Sequence, residues 1–478
     1  MRRPAAALAL AALAPAALAL ALLGGCGQLA PPHVRPESPA PPVYPADYAG
    51  DPGLGTRAAA IGWHDFFADP RLAALVATAL TRNRDLAVAV AQIEEARGLF
   101  RIQEAGRLPT AFLSGDASRS RVTGSGLPPA TVDRLAVGVG VSAFELDFWG
   151  RVRNLTESAR SQFLATVEAQ RAFRLSLIRD VASTYFAVLE AAERIQLAEA
   201  TVSSRAEGLR IARVRLDAGI TSALDYRQAE SLLTQAETEL AGLRLTKIQR
   251  DNALAVLVGG PIAEPLPAGL PLVRQGSPAT LAAGLPSELL TARPDILAAE
   301  ERLRASRADI GAARAAFFPS ISLTGSLGFA SSELGKLVGS DGLTWSFGPS
   351  ISLPIFNRGA LRGNLSVARA REDIAIASYE RAIQTAFQEV SDALAGRRYL
   401  AEQVAAQERG TVAQRQIAEL AHTRYREGVV NYLEVLDAER NLFAAEQALL
   451  QLRRAEADNL VALYVALGGG GIGGVDGR

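Results

Sequence analysis

The chain has 478 residues, 49% of them hydrophobic, with 50 Lys+Arg against 50 Asp+Glu, three His and a single Cys. Balanced charge removes the electrostatic case for a nucleic-acid partner. One Cys excludes an intrachain disulfide, and so few His and Cys leave little for a transition-metal site. No Walker, zincin or nucleophile-elbow motif is present, so the sequence offers neither an enzyme signature nor a cofactor site.

Arg2 and Arg3 precede an apolar run from Ala5 to Leu23, followed by Gly24-Gly25-Cys26. A basic start, an apolar middle and small residues before a cut describe a secretory signal over residues 1–25. Pro4 and Pro15 argue against a stable spanning helix there. Leu23-Gly24-Gly25-Cys26 resembles the bacterial lipoprotein box, in which cleavage leaves an N-terminal Cys carrying acyl chains. Cys26 is therefore the expected lipid anchor, against the plainer reading of an idle thiol beyond a cut site. Gly27 follows, not the Asp that in lipoproteins directs retention at the inner membrane. Residues 26–62, rich in Pro and Ala, read as an extended tether.

From residue 63 the chain says the same thing twice. Arg-Asp-Leu at 84–86 recurs as Pro-Asp-Ile at 294–296, and Ala-Gly-Arg-Leu-Pro-Thr at 105–110 as Ala-Ala-Phe-Phe-Pro-Ser at 315–320. The segment 215–225 recurs at 424–434, and Leu-Val-Gly-Gly at 257–260 as Ala-Leu-Gly-Gly at 466–469. An offset near 210 exceeds solenoid repeats of about 20–50 residues and marks duplication of a whole structural half. The halves are residues 63–260 and 295–467, joined by a Pro-rich segment at 261–294 and followed by a flexible Gly-rich tail at 468–478.

Proline is absent from 130 to 260 and from 355 to 478. Because proline inside a helix costs about 3 kcal/mol, these are the windows where long helices fit. Residues 151–217 and 361–427 are rich in Ala, Leu, Arg, Glu and Gln, strong helix formers. Each, unbroken, would run about 100 Å. Leu164, Val167, Phe173, Leu177, Ile178, Val181, Tyr185 and Val188 form a seam, not an all-round apolar surface. Gly219 and Gly428 stand at matching helix ends, and second helices follow over 224–258 and 433–467. Each half thus holds a helical hairpin with its tip near 217–224 or 426–433.

Between the helices lie segments of period two. Residues 320–329 set Ile321, Leu323, Leu327 and Phe329 against Ser and Gly; residues 345–355 repeat the pattern. Weaker copies lie at about 110–119 and 135–148, with a change of phase at Phe144 that implies a bulge. Gly138-Val139-Gly140 falls inside this alternation and reads as strand with small side chains. Four strands cannot close a barrel, and lipid does not tolerate an open edge, so several chains must combine. Two chains give a filled barrel, three a water-filled lumen, and the small polar second face favours three.

In their order, Trp63-His-Asp-Phe-Phe-Ala-Asp-Pro70, Asn83-Arg-Asp-Leu86, Phe144-Glu-Leu-Asp-Phe-Trp-Gly-Arg151, Ala292-Arg-Pro-Asp-Ile296, the run 311–323, Leu353-Pro-Ile-Phe356 and the run 382–390 resemble the TolC superfamily of outer-membrane efflux lipoproteins, in its OprM/NodT branch. The resemblance covers essentially all of the chain after Cys26. It implies a mainly α fold with membrane β: duplicated helical hairpins forming a periplasmic α-barrel, and four strands per chain in a trimeric 12-stranded β-barrel. It implies a homotrimer in the outer membrane, served by a periplasmic adaptor and an inner-membrane RND-type pump. Such a protein conducts small molecules passively as the exit duct of a tripartite efflux system, with no cofactor beyond lipid on Cys26. It further implies a periplasmic gate in Asn431-Tyr-Leu-Glu-Val-Leu-Asp437, with Leu433 and Asp437 at the constriction and Tyr425 and Arg397 helping to hold the closed state.

By residue chemistry alone, Asp437 also reads as a solvated carboxylate paired with Arg440 or Arg424. A ring of three such carboxylates would select cations, and their repulsion would raise at least one pKa. In the first half its counterpart is Gln228. Two other functions remain open: a type I protein secretion exit duct, and a lipid-anchored periplasmic coiled-coil scaffold or adaptor. The scaffold leaves the four alternating segments unexplained.

Overall fold

The structure, a computed structural model, describes residues 29–45, 47, 55–123, 130–262, 265–276 and 280–470. The signal segment, Cys26 and residues 471–478 lie outside the described residues. In chain order, the described elements are α1 (Trp63–Phe66), α2 (Pro70–Arg82), α3 (Arg84–Ala105), β1 (Ala111–Val122), β2 (Ala130–Glu145), α4 (Arg151–Asp217) and α5 (Ala223–Val258). There follow α6 (Leu289–Ala292), α7 (Pro294–Ala315), β3 (Ser320–Ser331), β4 (Leu343–Ser352), α8 (Ala360–Arg426) and α9 (Tyr432–Ala466). The two long helices, α4 and α8, are each 67 residues without a break. No described helix is long and apolar enough to cross a membrane.

The chain divides into two compact units, and the long helices contribute to both. One comprises residues up to Glu37, Gln92–Val167 and Ala298–Tyr379. Its centre is an antiparallel sheet in the order β1-β2-β3-β4. The register places Leu113 opposite Val139, Val139 opposite Leu327, and Leu327 opposite Trp345, an apolar row straight across all four strands. These side chains are 76, 52, 59 and 75% exposed. A soluble sandwich would bury such a row under a second sheet; here none of the described residues covers it. The opposite face carries small residues. Gly138 pairs with Gly328, and a Cβ on Gly328 would stand 2.4 Å from the Val137 carbonyl. Ser326 and Ser346 share a 2.7 Å hydrogen bond on this face.

The phase change in β2 is a bulge between Val141 and Phe144, with Ala143 in left-handed backbone (φ 47). β2 begins at Ala130, earlier than the alternation indicates, because Asp133 pairs with Arg119 across the ladder at 2.5 Å. β4 stops at Ser352, before Leu353 and Ile355, since Pro354 has no N–H for the ladder. The strand–helix junctions are knotted together: Trp149 Nε1 donates to the Pro319 carbonyl at 2.8 Å and its ring stacks on Phe318 at 4.6 Å. Arg151 Nε donates to Glu145 at 2.9 Å. The Asp147 carboxylate accepts the Arg153 N–H at 2.7 Å in the first turn of α4.

The second unit comprises Ser38–Ala91, Glu168–Leu297 and Glu380–Arg478. Within it Leu177, Ile178, Val181 and Tyr185 of α4 are buried, while Phe173 and Val188 are half-buried. Ala182, Ala187 and Ala191 are buried along the same helix. The two halves share one contact here, made by different side chains. Asn83 Nδ2 donates to the Leu257 carbonyl at 2.8 Å; its counterpart Arg293 donates through Nη1 to the Ala466 carbonyl at 3.2 Å. Gly259 and Gly468, both at positive φ, lie so near the carbonyls of Arg82 and Ala292 that a Cβ would stand 2.3 and 2.8 Å away.

Residues of the Pro-rich connection pack around Asp69, which is buried. One carboxylate oxygen caps α2 through the N–H groups of Arg71 (2.8 Å) and Leu72 (3.3 Å). The other accepts from the Tyr185 hydroxyl (2.9 Å), the Leu270 N–H (3.0 Å) and Gln275 Nε2 (2.5 Å). Thr56 pairs with residues 280–282 as an isolated parallel bridge. Tyr464 is buried, stacks on Phe66 at 3.9 Å and donates to the Ile61 carbonyl at 2.7 Å.

Candidate gate at the hairpin tips

Both hairpins turn by the same chemistry. At the end of α4 the Gly219 N–H bonds the Leu216 carbonyl (2.9 Å) and the Ile220 N–H bonds Arg215 (2.8 Å); Gly219 has φ 72. At the end of α8 the Gly428 N–H bonds Tyr425 (3.0 Å), the Val429 N–H bonds Arg424 (2.9 Å), and φ is 73. This double bond at a left-handed residue is the Schellman stop, which only Gly adopts without strain. The return helices start on side-chain caps. Ser222 and Asp225 form a capping box on α5, and Asn431 accepts the Glu434 N–H at 3.3 Å on α9. The Thr221 hydroxyl above all, joined by Ser222, holds the Asp225 carboxyl below its ordinary range against the opposing effect of burial.

Contacts between the two hairpins gather on Tyr425 and Tyr432, whose rings lie 5.1 Å apart. Arg215 of α4 donates through Nη1 to the Tyr425 hydroxyl, and its guanidinium sits 4.8 Å from that ring's centre. A turn or two up α4, Gly208 admits the Tyr432 hydroxyl, which would stand 2.5 Å from a Cβ there. Burial pushes the Tyr432 phenol up to about 12. Arg205 is itself buried, donates through Nη1 to the Leu232 carbonyl of α5 at 2.9 Å and lies 5.5 Å from the Phe443 ring of α9. Val435 and Ala438 of α9 pack on Ala418 and Ala421 of α8 beneath these aromatics.

Leu433 and Asp437 lie one turn apart on α9. Leu433 is exposed, and Asp437 is half-buried and ion-paired with Arg440 at 2.6 Å. Arg424, the other cation in reach by sequence, is taken by Glu434 at 2.5 Å. Beside Asp437 runs a groove of about 410 Å³ lined by Ile417, Leu420, Arg424 and Asn441. Tyr425, Leu433 and Asp437 therefore share the tip. Arg397 does not: it lies 29 residues before Arg426 on α8, about 44 Å along the axis, and donates to the Leu281 carbonyl at 2.9 Å. The sequence assigns no gate role to Arg205, Gly208 or Arg215, and it includes Tyr432 in the gate segment without a contact of its own. Only Gly208, a glycine inside a helix of strong formers, carries a signal there.

Four strands with an uncovered apolar row, joined to capped helical hairpins of this length, define a subunit of an outer-membrane channel. The match to the outer membrane efflux protein family spans residues 75–260 and 285–469. The toluene efflux pump outer membrane protein TtgI of Pseudomonas putida is 44% identical over 460 residues, 95% of this chain and 97% of that protein. The cation efflux system protein CusC of Escherichia coli is 39% identical over 463 residues, 96% of this chain and 99% of that protein. The open state of the Neisseria gonorrhoeae MtrE outer membrane channel superposes with a TM-score of 0.85 at 40% identity, covering 93% of this chain and 98% of that one. The chain belongs to the outer membrane efflux protein family, and it is an outer-membrane efflux channel.

Proposed function

We propose that three copies of the chain close a twelve-stranded barrel and that the assembly is the exit duct of a tripartite efflux system. The observation that carries this is the sheet: among the described residues β1 and β4 each keep an unpaired edge, and the apolar row stands free. In lipid both edges require partners, which a neighbour's β4 and β1 supply. The small polar face then lines the lumen. Cys26 carries the lipid that anchors the chain to the outer membrane, and the helical hairpins extend into the periplasm. There a periplasmic adaptor and an inner-membrane RND-type pump deliver small solutes. The duct holds no energy source and conducts passively. Relatives named for toluene and for cations resemble it about equally, which supports a pump that chooses the cargo and favours small solutes over polypeptides.

The gate works at the tips. Any movement of the second hairpin away from the first must break the Arg215–Tyr425 contacts and withdraw Tyr432 from Gly208. Leu433 and Asp437 form the constriction, where a ring of three carboxylates favours cations. Arg397 holds the root of the second hairpin to the Pro-rich connection, not its tip. The test is direct: the mature protein extracted from outer membranes runs as a heat-resistant trimer and conducts ions in planar bilayers. A purified chain that is monomeric and soluble without detergent overturns the reading.

A further inference from the structure

Residues 29–37 run as an extended strap along α7, and one face of that helix is built to hold them. Glu300, Arg307 and Arg314 are spaced by seven, so they stack on a single face. Arg314 Nη1 donates to the Leu29 carbonyl at 2.8 Å, Arg307 Nη1 to the Val34 carbonyl at 2.8 Å, and Glu300 accepts from Arg35 at 2.8 Å. Glu300 and Arg307 are buried. Between them sits His33, with both ring nitrogens engaged: Nδ1 lies 3.1 Å from Arg307 Nη1, and Nε2 lies 3.1 Å from Glu300 Oε1.

A guanidinium can only donate, so Nδ1 must offer its lone pair and the proton must sit on Nε2, donating to Glu300. The docked strap thus requires neutral imidazole. Protonation removes the acceptor that Arg307 uses and sets a second cation 3.1 Å from the guanidinium. Glu300, 3.1 Å from Nε2, is shared with other donors: it already accepts from Arg35 and from Arg304, each at 2.8 Å. Burial pushes the Glu300 carboxyl up, but Arg35, His33 and Arg304 together outweigh it and hold it below the ordinary range. Around His33 the charges already balance. Arg35 on the strap and Arg304 and Arg307 on α7 are cations; Glu300 and Glu301 on α7 and Glu372 on α8 are anions. Arg304 pairs with Glu301 at 2.6 Å and Arg307 with Glu372 at 2.9 Å. Tyr379 of α8, buried beside Glu300, stays neutral because burial raises its phenol.

We propose that the strap is an acid-released clasp, docked on α7 while His33 is neutral and loosened when its ring takes a proton. The clasp ties the N-terminal end of the chain to the helix that leads into β3, so acid frees that end from the base of the sheet. The proposal does not depend on the gate.

The test places a nitroxide on Glu37→Cys in the full-length protein in detergent, with the unsubstituted chain carried through the same labelling as the blank. The fraction of mobile label is read from pH 8 to pH 5. One linked proton predicts a mobile-to-docked ratio rising by up to about tenfold per pH unit as the pH falls. His33→Gln keeps one acceptor for Arg307 and one donor for Glu300 but cannot titrate, so its label stays docked throughout. A flat profile in the chain with native His33 overturns the proposal, as does a His33→Gln profile that follows it. Mobile label at every pH in His33→Gln overturns it too, since the neutral hydrogen-bond pattern would then not be what holds the strap.

Discussion

Asp69 is one of the points at which the Pro-rich connection between the halves is fastened, and Asp69→Ala tests its contribution. The substitution strips the acceptor from three tertiary donors: the Tyr185 hydroxyl, the Leu270 N–H and Gln275 Nε2. Hydrogen bonds to a charged acceptor are worth about 1.5–3 kcal/mol each. The Tyr185 hydroxyl can turn to another partner, and Gln275 keeps its 2.8 Å bond to the Leu270 carbonyl. Removal of a buried carboxylate also returns part of its desolvation cost. The net loss in holding residues 265–276 is therefore about 3 kcal/mol, or roughly a 150-fold rise in local opening. Arg274 is exposed within this segment, so trypsin cleavage after it, followed by mass spectrometry, reports that opening in the folded protein. Asp69→Ala is expected to accelerate the cut by about two orders of magnitude while the sheet remains intact. An increase below about fivefold refutes the assignment of Asp69 as a fastening.

Gly208→Val drives a side chain into the Tyr432 hydroxyl; it is expected to loosen the tips and raise single-channel conductance in planar bilayers, although it improves local helix propensity. Leu433→Ala combined with Asp437→Ala is expected to give a leaky pore, read as higher conductance and greater sensitivity of cells to large antibiotics; unchanged values would remove both residues from the gate. Gly328→Val places a side chain 2.4 Å from the Val137 carbonyl, breaks the β2–β3 pairing, and is expected to abolish heat-resistant trimers on gels. Since the Asp225 carboxyl is held below its ordinary range, its capping contribution is complete above the unfolded value of about 3.9 and is lost as pH falls through the lower folded value. Amide exchange in the first turn of α5 is therefore expected to match that of Asp225→Asn only at the acid end of a pH series, and to be slower at neutral pH.

The elements most legible in the sequence are those governed by local rules. Period two picked out β3 and β4 because their two faces differ sharply in chemistry, and proline-free windows located α4 and α8. Gly219 and Gly428 announced the hairpin ends because a left-handed residue leaves no alternative. Asp69-Pro70 has the form of a helix cap, yet nothing local shows that Tyr185, Leu270 and Gln275 converge on the same carboxylate. The tip divides in the same way. Leu433 and Asp437 sit in a recognisable segment, whereas Arg215 meets Tyr425 from the other half of the chain, and periodicity carries no record of such pairings. Arg397 shows the opposite failure. Motif position associated it with the gate, and the length of α8 carries it far up the helix.

The row Leu113–Val139–Leu327–Trp345 has a bearing on the journey as well as on the destination. A newly exported subunit must cross a watery compartment with that stripe bare and two strand margins unsatisfied, an invitation to clump with its own kind.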